Sequence, residues 1–179
     1  MNKLMLDGEK IYLREISSLD TDNIIKWRNS SHVKQNFIYQ KDLTREEHEL
    51  WLKTKVESGK VKQFVIVEKE SNGPIGSVYL RDIDYNNGKA EFGIFIGEKT
   101  GLNKGYGTIA AKIIVKYGFN QLKLNKIFLR AFESNVHAIK SYEKVNFIKE
   151  GLFKQDVCVE NKFYNVIFMS ILKNGDLND

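Results

Sequence analysis

The alternation of apolar and polar residues divides the first part of the chain into a strand and two helices. Residues 11–15 alternate as a short strand, and residues 20–27 carry apolar side chains at helical spacing. Thr44 and Glu47 have the spacing of a capping box, in which each side chain accepts a hydrogen bond from the other residue's backbone. A second helix is therefore predicted to follow over residues 48–56.

The middle of the chain predicts three strands joined by short turns. Residues 64–67 form a continuous apolar run, and the turn-forming residues 71–74 separate it from a second strand at 75–83. Residues 85–88 end in Asn-Gly, a pair suited to positive backbone angles, and a third strand follows at 89–96. Sequential strands with such short connections indicate an antiparallel meander.

The last third of the chain predicts helices that alternate with strands. Apolar residues recur at helical spacing over residues 109–117 with lysines on the opposite side, which is typical of an amphipathic helix on a sheet. A strand at 126–131, a helix at 136–145 and two closing strands at 147–152 and 166–172 follow. This part therefore adds a strand-helix-strand crossover to the meander.

The predicted order βααβββαβαββ implies an α+β (α/β) fold. A meander followed by a crossover gives a mixed, mostly antiparallel sheet of about seven strands flanked by helices. A chain of 179 residues that is 42% apolar and 12% aromatic can bury the core of one domain. Because no low-complexity linker or repeat interrupts the pattern, we expect a single domain over residues 8–174.

Composition and charge exclude several classes of function. Lone Cys158 cannot form an internal disulfide, and the three histidines lack the spacing of zinc ligands, so no metal site is expected. A formal charge of +5 with scattered lysines gives little support for nucleic-acid binding. No signal peptide or apolar run long enough to span a membrane is found, and a cytoplasmic location without membrane contact is expected.

Gly105 and Gly107 stand where the helix over residues 109–117 begins. Free N–H groups at a helix start attract phosphate, and glycines there let a ligand approach the backbone, although a glycine pair also makes a simple tight turn. Residues 105–110 also match the dinucleotide fingerprint G-x-G-x-x-A. That match is weakened by the eight residues 97–104 between strand and glycine, and no Gly-Lys-Ser or Gly-Lys-Thr supports a Walker loop.

Two segments together resemble the GNAT superfamily of N-acetyltransferases. Residues 102–107, Leu-Asn-Lys-Gly-Tyr-Gly, are similar to the family's pyrophosphate loop Gln/Arg-x-x-Gly-x-Gly/Ala, with Leu102 in place of the polar residue. Residues 133–147 follow the family's Asn-x-x-Ala-x-x-x-Tyr-Glu-Lys-x-Gly-Phe segment, with Asn146 in place of glycine. The resemblance extends over residues 11–172 and implies a GNAT-type fold.

The resemblance implies that the cofactor is acetyl-CoA and assigns roles at the site. The cofactor-binding residues that it implies are Phe95, Ile96, Leu102, Asn103, Lys104, Gly105, Tyr106, Gly107, Thr108, Asn135 and Ser141. A backbone N–H near Phe95 or Ile96 would stabilise the oxyanion. Tyr142 would be the general acid that protonates the sulfur, and Glu91 would take the proton of the amine, directly or through water.

The acceptor is expected to contact the first helices. Trp27, Arg28, Asn29 and His48 are candidates for the substrate wall, with Trp51 beside them. Each candidate also has a structural explanation, since the tryptophans suit a core, Arg28 suits an ion pair and His48 suits a helix surface.

The resemblance covers enzymes with ribosomal-protein, spermidine and amino-sugar-nucleotide acceptors. The predicted activity is transfer of an acetyl group to a primary amine of a small molecule or a protein N-terminus, by a chain that forms a homodimer. Glu46, Glu47 and Glu49 would suit a polyamine, but acidic residues in a first helical turn also suit the helix dipole. The alternative function is a non-catalytic sensor or scaffold that binds acetyl-CoA.

Overall fold

The computed structural model describes residues 4–173, which fold around one sheet. The strands are β1 (Met5–Asp7), β2 (Ile11–Glu15), β3 (Lys62–Glu68), β4 (Gly73–Asp84), β5 (Lys89–Ile96), β6 (Lys126–Phe132), β7 (Ile148–Val159) and β8 (Lys162–Leu172). The helices are α1 (Thr21–Asn29), α2 (Ser31–Lys34), α3 (Arg45–Trp51), α4 (Tyr106–Asn120) and α5 (Val136–Glu143), and a π-helical turn, Leu52–Val56, continues α3. None of these helices combines the length and the apolar character that a membrane span requires.

The sheet confirms the predicted mixed fold, and the structure contains two short elements beyond the predicted ones. Its order is β1-β2-β3-β4-β5-β6-β8-β7, and every neighbouring pair is antiparallel except β5 and β6. Strand β1 and helix α2 were not predicted because three and four residues are too few to show a periodic pattern. The predicted capping box is present, with Thr44 and Glu47 bonded to each other's backbone N–H where α3 begins.

Apolar side chains cover both faces of the sheet, but with different helices. On one face, which we call the α4 face, α4 packs over a large core that includes Phe64, Leu80 and Ile114. On the other, the α1 face, a smaller cluster that includes Trp27 and Phe95 is built with α1, α2 and the π-helical turn after α3. Since side chains alternate along a strand, β5 contributes to both cores and brings the two helical layers to the same place.

Strands β5 and β6 separate soon after they meet. Their parallel pairing covers only residues 89–91 of β5 and 126–128 of β6. Beyond those pairs β5 stays with β4 as far as Ile96, and β6 stays with β8. We call the opening between residues 92–96 of β5 and residues 129–132 of β6 the gap.

A buried carboxylate ties the end of β3 to the start of α4. Glu68 accepts hydrogen bonds from the Tyr106 hydroxyl at 2.7 Å, the Ser71 hydroxyl at 2.7 Å and the Lys104 ammonium at 3.0 Å. These donors, the Tyr106 hydroxyl first, lower the pKa of Glu68 to about 2. The loop before α4 is thus held to the edge of the core by a charged group that stays ionised at neutral pH.

A close contact also fixes the start of that loop. The Trp27 indole donates to Glu98 Oε1 at 2.7 Å, and Lys26 donates to the same oxygen. The indole ring covers Gly97 so closely that a Cβ added there would overlap it. Glycine is therefore required at position 97 by packing and not by a turn.

We expect Gly97→Ala to destabilise the protein by about 1–3 kcal/mol, because the new methyl group must displace a fully buried indole. Denaturant unfolding measures the change. Gly151→Ala is the matched control, since a Cβ at Gly151 meets nothing within 4 Å. Equal stability of the two variants would contradict the proposed role of the Trp27 contact.

We expect Glu68→Gln to remove part of the acid sensitivity of folding. A carboxyl group whose pKa is lowered in the folded state stabilises it above the ordinary pKa, 4.5, and loses this effect as the pH falls towards 2. The difference in denaturation midpoint between wild type and variant should therefore shrink between pH 6 and pH 3. Exposed Glu57, replaced by Gln, is the control, and a constant difference across this range would refute the assignment.

Candidate active site

Backbone donors of β5 face the gap. Gly97 N–H donates to Ile75 of β4 at 2.8 Å, and N–H groups alternate in direction along a strand, so the N–H of Phe95 also points to β4. The N–H groups of Ile94 and Ile96 then point away from β4, towards the gap, where β6 does not pair with them. Of the two predicted oxyanion donors, this alternation favours Ile96, and it adds Ile94.

The start of α4 presents free N–H groups, as the sequence predicts. Gly105 is the N-cap with a φ of 78°, and Asn103 has a φ of 60°, so two left-handed residues turn the chain into the helix. The first helical hydrogen bond runs from Ile109 N–H to the carbonyl of Gly105. The N–H groups of Tyr106, Gly107 and Thr108 therefore have no partner within the helix and are available to an anionic ligand.

Three side chains of the loop are either hydrogen-bonded within the protein or apolar. Lys104 is paired with Glu68, and the Tyr106 hydroxyl donates to the same carboxylate. Leu102 is exposed and apolar, so it offers no polar contact. A Cβ added at Gly107 would meet nothing within 4 Å, and its φ is not positive, so neither packing nor backbone strain requires glycine there. A ligand that approaches the backbone closely gives a reason for it.

A pocket of about 410 Å³ adjoins the loop. It is lined by Lys10, Lys69, Glu70, Lys104 and Tyr106. Lys69 is paired with Asp7 at 2.7 Å and Lys104 with Glu68, whereas Lys10 has no ion pair among residues 4–173. With Glu70 in the lining and Asp7 and Glu68 as ion-pair partners, the three lysines bring no net positive charge, so the anion site suggested by the start of α4 depends on its backbone N–H groups.

Tyr142 lies on the α4 face beside the gap. Its ring packs edge-on against Phe92 of β5, with the centroids 5.8 Å apart, and against Phe147 at 6.1 Å. Burial raises the pKa of Tyr142 well above its ordinary value, and the neighbouring Tyr79 hydroxyl adds to the rise. The hydroxyl therefore stays protonated, which is the state that a proton donor needs.

The other predicted residues of this segment contact their own helix. Asn135 is the N-cap of α5, and its Oδ1 accepts from Ala138 N–H at 3.3 Å, which leaves its side-chain NH₂ available. The Ser141 hydroxyl donates to the His137 carbonyl at 3.1 Å.

Glu91 lies on the α1 face at the base of the gap, and two arginines engage it. Arg81 of β4 places Nε 3.1 Å from Oε2 and a terminal nitrogen 2.9 Å from Oε1, and Arg130 of β6 donates from Nε to Oε1 at 3.2 Å. Glu91 is buried, whereas both arginines are partly exposed. Both carboxylate oxygens are therefore occupied, which argues against direct proton abstraction by Glu91 and favours a role in orienting the arginines.

The residues predicted to contact the acetyl acceptor differ in whether their polar atoms have hydrogen-bond partners. Trp27 is buried and bonded to Glu98, and the side chain of Asn29 both donates to and accepts from the backbone of Leu43. His48 is buried against Thr21, so the interpretation as a surface residue is wrong, and burial lowers its pKa. Two nitrogen atoms of these residues, Nη1 of Arg28 and Nε2 of His48, are buried without a hydrogen-bond partner among the described residues.

Sequence reasoning missed Arg81, Arg130 and Tyr79. Arg81 pairs with Glu91 across the hairpin at 85–88, so the predicted meander contained the signal for this contact. Tyr79, two residues earlier, lies across Gly93 on the same face. Arg130 lies 39 positions after Glu91, on another strand, so no local sequence pattern predicts their contact. Within the described residues, no group of three or more His, Cys, Asp or Glu side chains could hold a metal ion.

Two known proteins are similar to this chain in sequence. The chain is 32% identical over 115 residues to the uncharacterized N-acetyltransferase p20 of Bacillus licheniformis, a match that spans 64% of each protein. It is 32% identical over 133 residues to acetyltransferase PseH of Campylobacter jejuni, over 74% of this chain and 80% of that protein.

A solved structure agrees in fold. The crystal structure of spermidine N-acetyltransferase from Vibrio cholerae in complex with CoA and spermine has a TM-score of 0.87 to this chain, and the match covers 94% of this chain and 98% of that one. The sequences are 24% identical, so this likeness shows the fold alone. The family model described as the acetyltransferase (GNAT) domain matches residues 10–148 of this chain. The chain therefore belongs to the GNAT family of N-acetyltransferases, which take their acetyl group from acetyl-CoA.

Proposed function

We propose that this protein transfers the acetyl group of acetyl-CoA directly to a primary amine, on a small molecule or a protein N-terminus. The observation that carries the proposal is the gap between β5 and β6, which opens beside the free N–H groups of α4. When bound, acetyl-CoA supplies the acetyl group as a reactive thioester. Proximity of the two substrates in such a site lowers the entropic part of the barrier.

The proposed cofactor site uses backbone more than side chains. The N–H groups of Tyr106, Gly107 and Thr108 would hold the phosphates, and residues 102–105 shape the turn before them. The N–H groups of Ile96 and Ile94 would bond within the gap, where Phe95 contributes packing from the α1 face. The free amide of Asn135 and the neighbouring Ser141 would border the other side of the gap.

The proposed proton transfers use Tyr142 and a route past Glu91. When the amine replaces the sulfur on the acetyl carbon, the Tyr142 hydroxyl would donate its proton to the departing sulfur and would then regain a proton from solvent. Because Glu91 is held by Arg81 and Arg130, we propose that it receives the amine proton only through water. In the alternative function, a sensor that binds acetyl-CoA without turnover, Tyr142 would serve packing only.

We also propose that two copies of the chain associate in the cytoplasm, where acetyl-CoA is supplied. Strand β7 is an edge of the sheet, and the hairpin of β7 and β8 carries exposed apolar side chains at Ile148, Phe153 and Phe163. Exposed edges with apolar side chains favour association between chains.

We expect Gly107→Ala to weaken acetyl-CoA binding by about tenfold or more while leaving stability nearly unchanged. The methyl group has space in the free protein but would stand between the backbone and a phosphate. Calorimetric titration measures the Kd, and Gly151→Ala is the matched control. Unchanged affinity would count against the loop as the phosphate site.

We expect Tyr142→Phe to reduce kcat by about 10²-fold or more, the usual contribution of a general acid, with the Kd of acetyl-CoA unchanged. Thiol release is measured against a panel of amino sugars, amino acids, polyamines and N-terminal peptides. Tyr85→Phe is the control, since Tyr85 is 60% exposed and remote from the gap. Full activity of the Tyr142 variant would remove the proton-donor role, and cofactor binding without turnover by the wild type on every amine would favour the sensor.

A further inference from the structure

Three arginines converge on the α1 face beside the gap. Arg81 and Arg130 share the carboxylate of Glu91, which is the last residue of β5 that pairs with β6. Arg28 of α1 lies above the same face, because the Phe37 ring that it contacts packs edge-on against Phe95 of β5, with the ring centroids 5.8 Å apart. Its guanidinium carbon is 3.4 Å from the centroid of the Phe37 ring, so an aromatic contact fixes its position.

The positive charge of this cluster exceeds its negative charge. Glu91 is one carboxylate for the pair Arg81 and Arg130, and exposed Asp82 lies 3.8 Å from Arg81, where water screens it. Arg28 has no ion pair among the described residues, and its buried Nη1 has no hydrogen-bond partner. Even when Asp82 is counted, three guanidinium groups face two carboxylates.

A buried, unpaired guanidinium nitrogen is costly for a folded protein. Burial removes its hydration, and a missing partner leaves that loss uncompensated. The cost is offset if a ligand supplies the partner, and the planar fork of arginine matches carboxylate and phosphate oxygens better than any other side chain does. Arg28 therefore has the properties of a group whose partner arrives with the substrate.

The acidic residues that would suit a polyamine are occupied or remote from this cluster. Glu47 pairs with Lys41 and caps α3, and Glu49 lies 3.5 Å from Arg45. Glu46 and Glu47 lie in the first turn of α3, where the helix dipole favours acidic residues, and Glu49 is exposed further along the same helix. A cationic chain placed on the α1 face beside the gap would meet the guanidinium groups of Arg28, Arg81 and Arg130.

We propose that the acceptor is an amine that also carries a phosphate or a carboxylate, and that Arg28, assisted by Arg81 and Arg130, binds this anionic group. The inference rests on the proposed function, because it identifies the acceptor of the same site. The anion holds the acceptor on the α1 face, and its amine then reaches the gap. These arginines determine specificity and take no part in the proton transfers.

Binding to the CoA-saturated protein tests the proposal, since CoA fills the phosphate site at α4 and prevents turnover. Titration calorimetry compares glucosamine 6-phosphate with glucosamine, alanine with alaninamide, and both pairs with spermidine. We expect at least one anionic member to bind about tenfold or more tightly than its neutral partner, as a charge-assisted hydrogen bond contributes. The first pair reports on phosphate and the second on carboxylate.

Two variants connect the preference to the cluster. Arg28→Gln should remove most of the preference, and Arg130→Gln should reduce it while Arg81 still holds Glu91. Arg45→Gln, on the exposed surface of α3, is the matched control and should keep the preference. Unfolding midpoints measured in parallel show that each variant is folded, and two independent variants keep the test valid if one of them is not.

The outcomes separate the two proposals. Equal affinity within both pairs, tighter binding of spermidine, or a preference that survives in both folded cluster variants would overturn the anionic acceptor. In that case acetyl transfer to any amine of the panel still supports the proposed function. Failure of the wild type to bind CoA at all would overturn the proposed function and, with it, the inference.

Discussion

The separation of β5 from β6 is the constraint on which the site depends. A strand inside a sheet normally satisfies its N–H groups on both sides, yet β5 beyond Glu91 has a strand partner on only one. The unpaired side is bordered by Tyr142 on the α4 face and by the arginine cluster on the α1 face. A ligand that enters the gap can therefore complete the hydrogen bonding of the strand and meet both sets of side chains.

Two buried carboxylates, Glu68 and Glu91, each hold polar side chains from other parts of the chain. Glu68 anchors the loop before α4 through Lys104 and Tyr106, and Glu91 holds Arg81 and Arg130 across three strands. Buried charges persist only when they are paired and hydrogen-bonded, so each cluster fixes the geometry of its surroundings. The loop before α4 is thereby tied to β3, and the arginine cluster is tied to β5.

Local sequence patterns were sufficient to predict features whose residues lie close together in the chain. The capping box at Thr44, the turn at 85–88 and the glycine start of α4 involve residues close in sequence, and the structure has all three. Lys104 was predicted to bind the cofactor, and Glu91 was predicted to take the proton of the amine. Lys104 is engaged by Glu68 of β3, and Glu91 is engaged by Arg81 of β4 and Arg130 of β6, so all of these partners come from other strands.

The sequence by itself determined the order of the main strands and helices and the glycine start of α4, because periodicity and glycine placement act over a few residues. Only the tertiary structure decided which polar groups remain free. It satisfied Asn29 through the backbone of Leu43, buried His48 against Thr21, and left Nη1 of Arg28 without a partner. Such differences arise from contacts between segments distant in the chain, which periodicity over a few residues does not record.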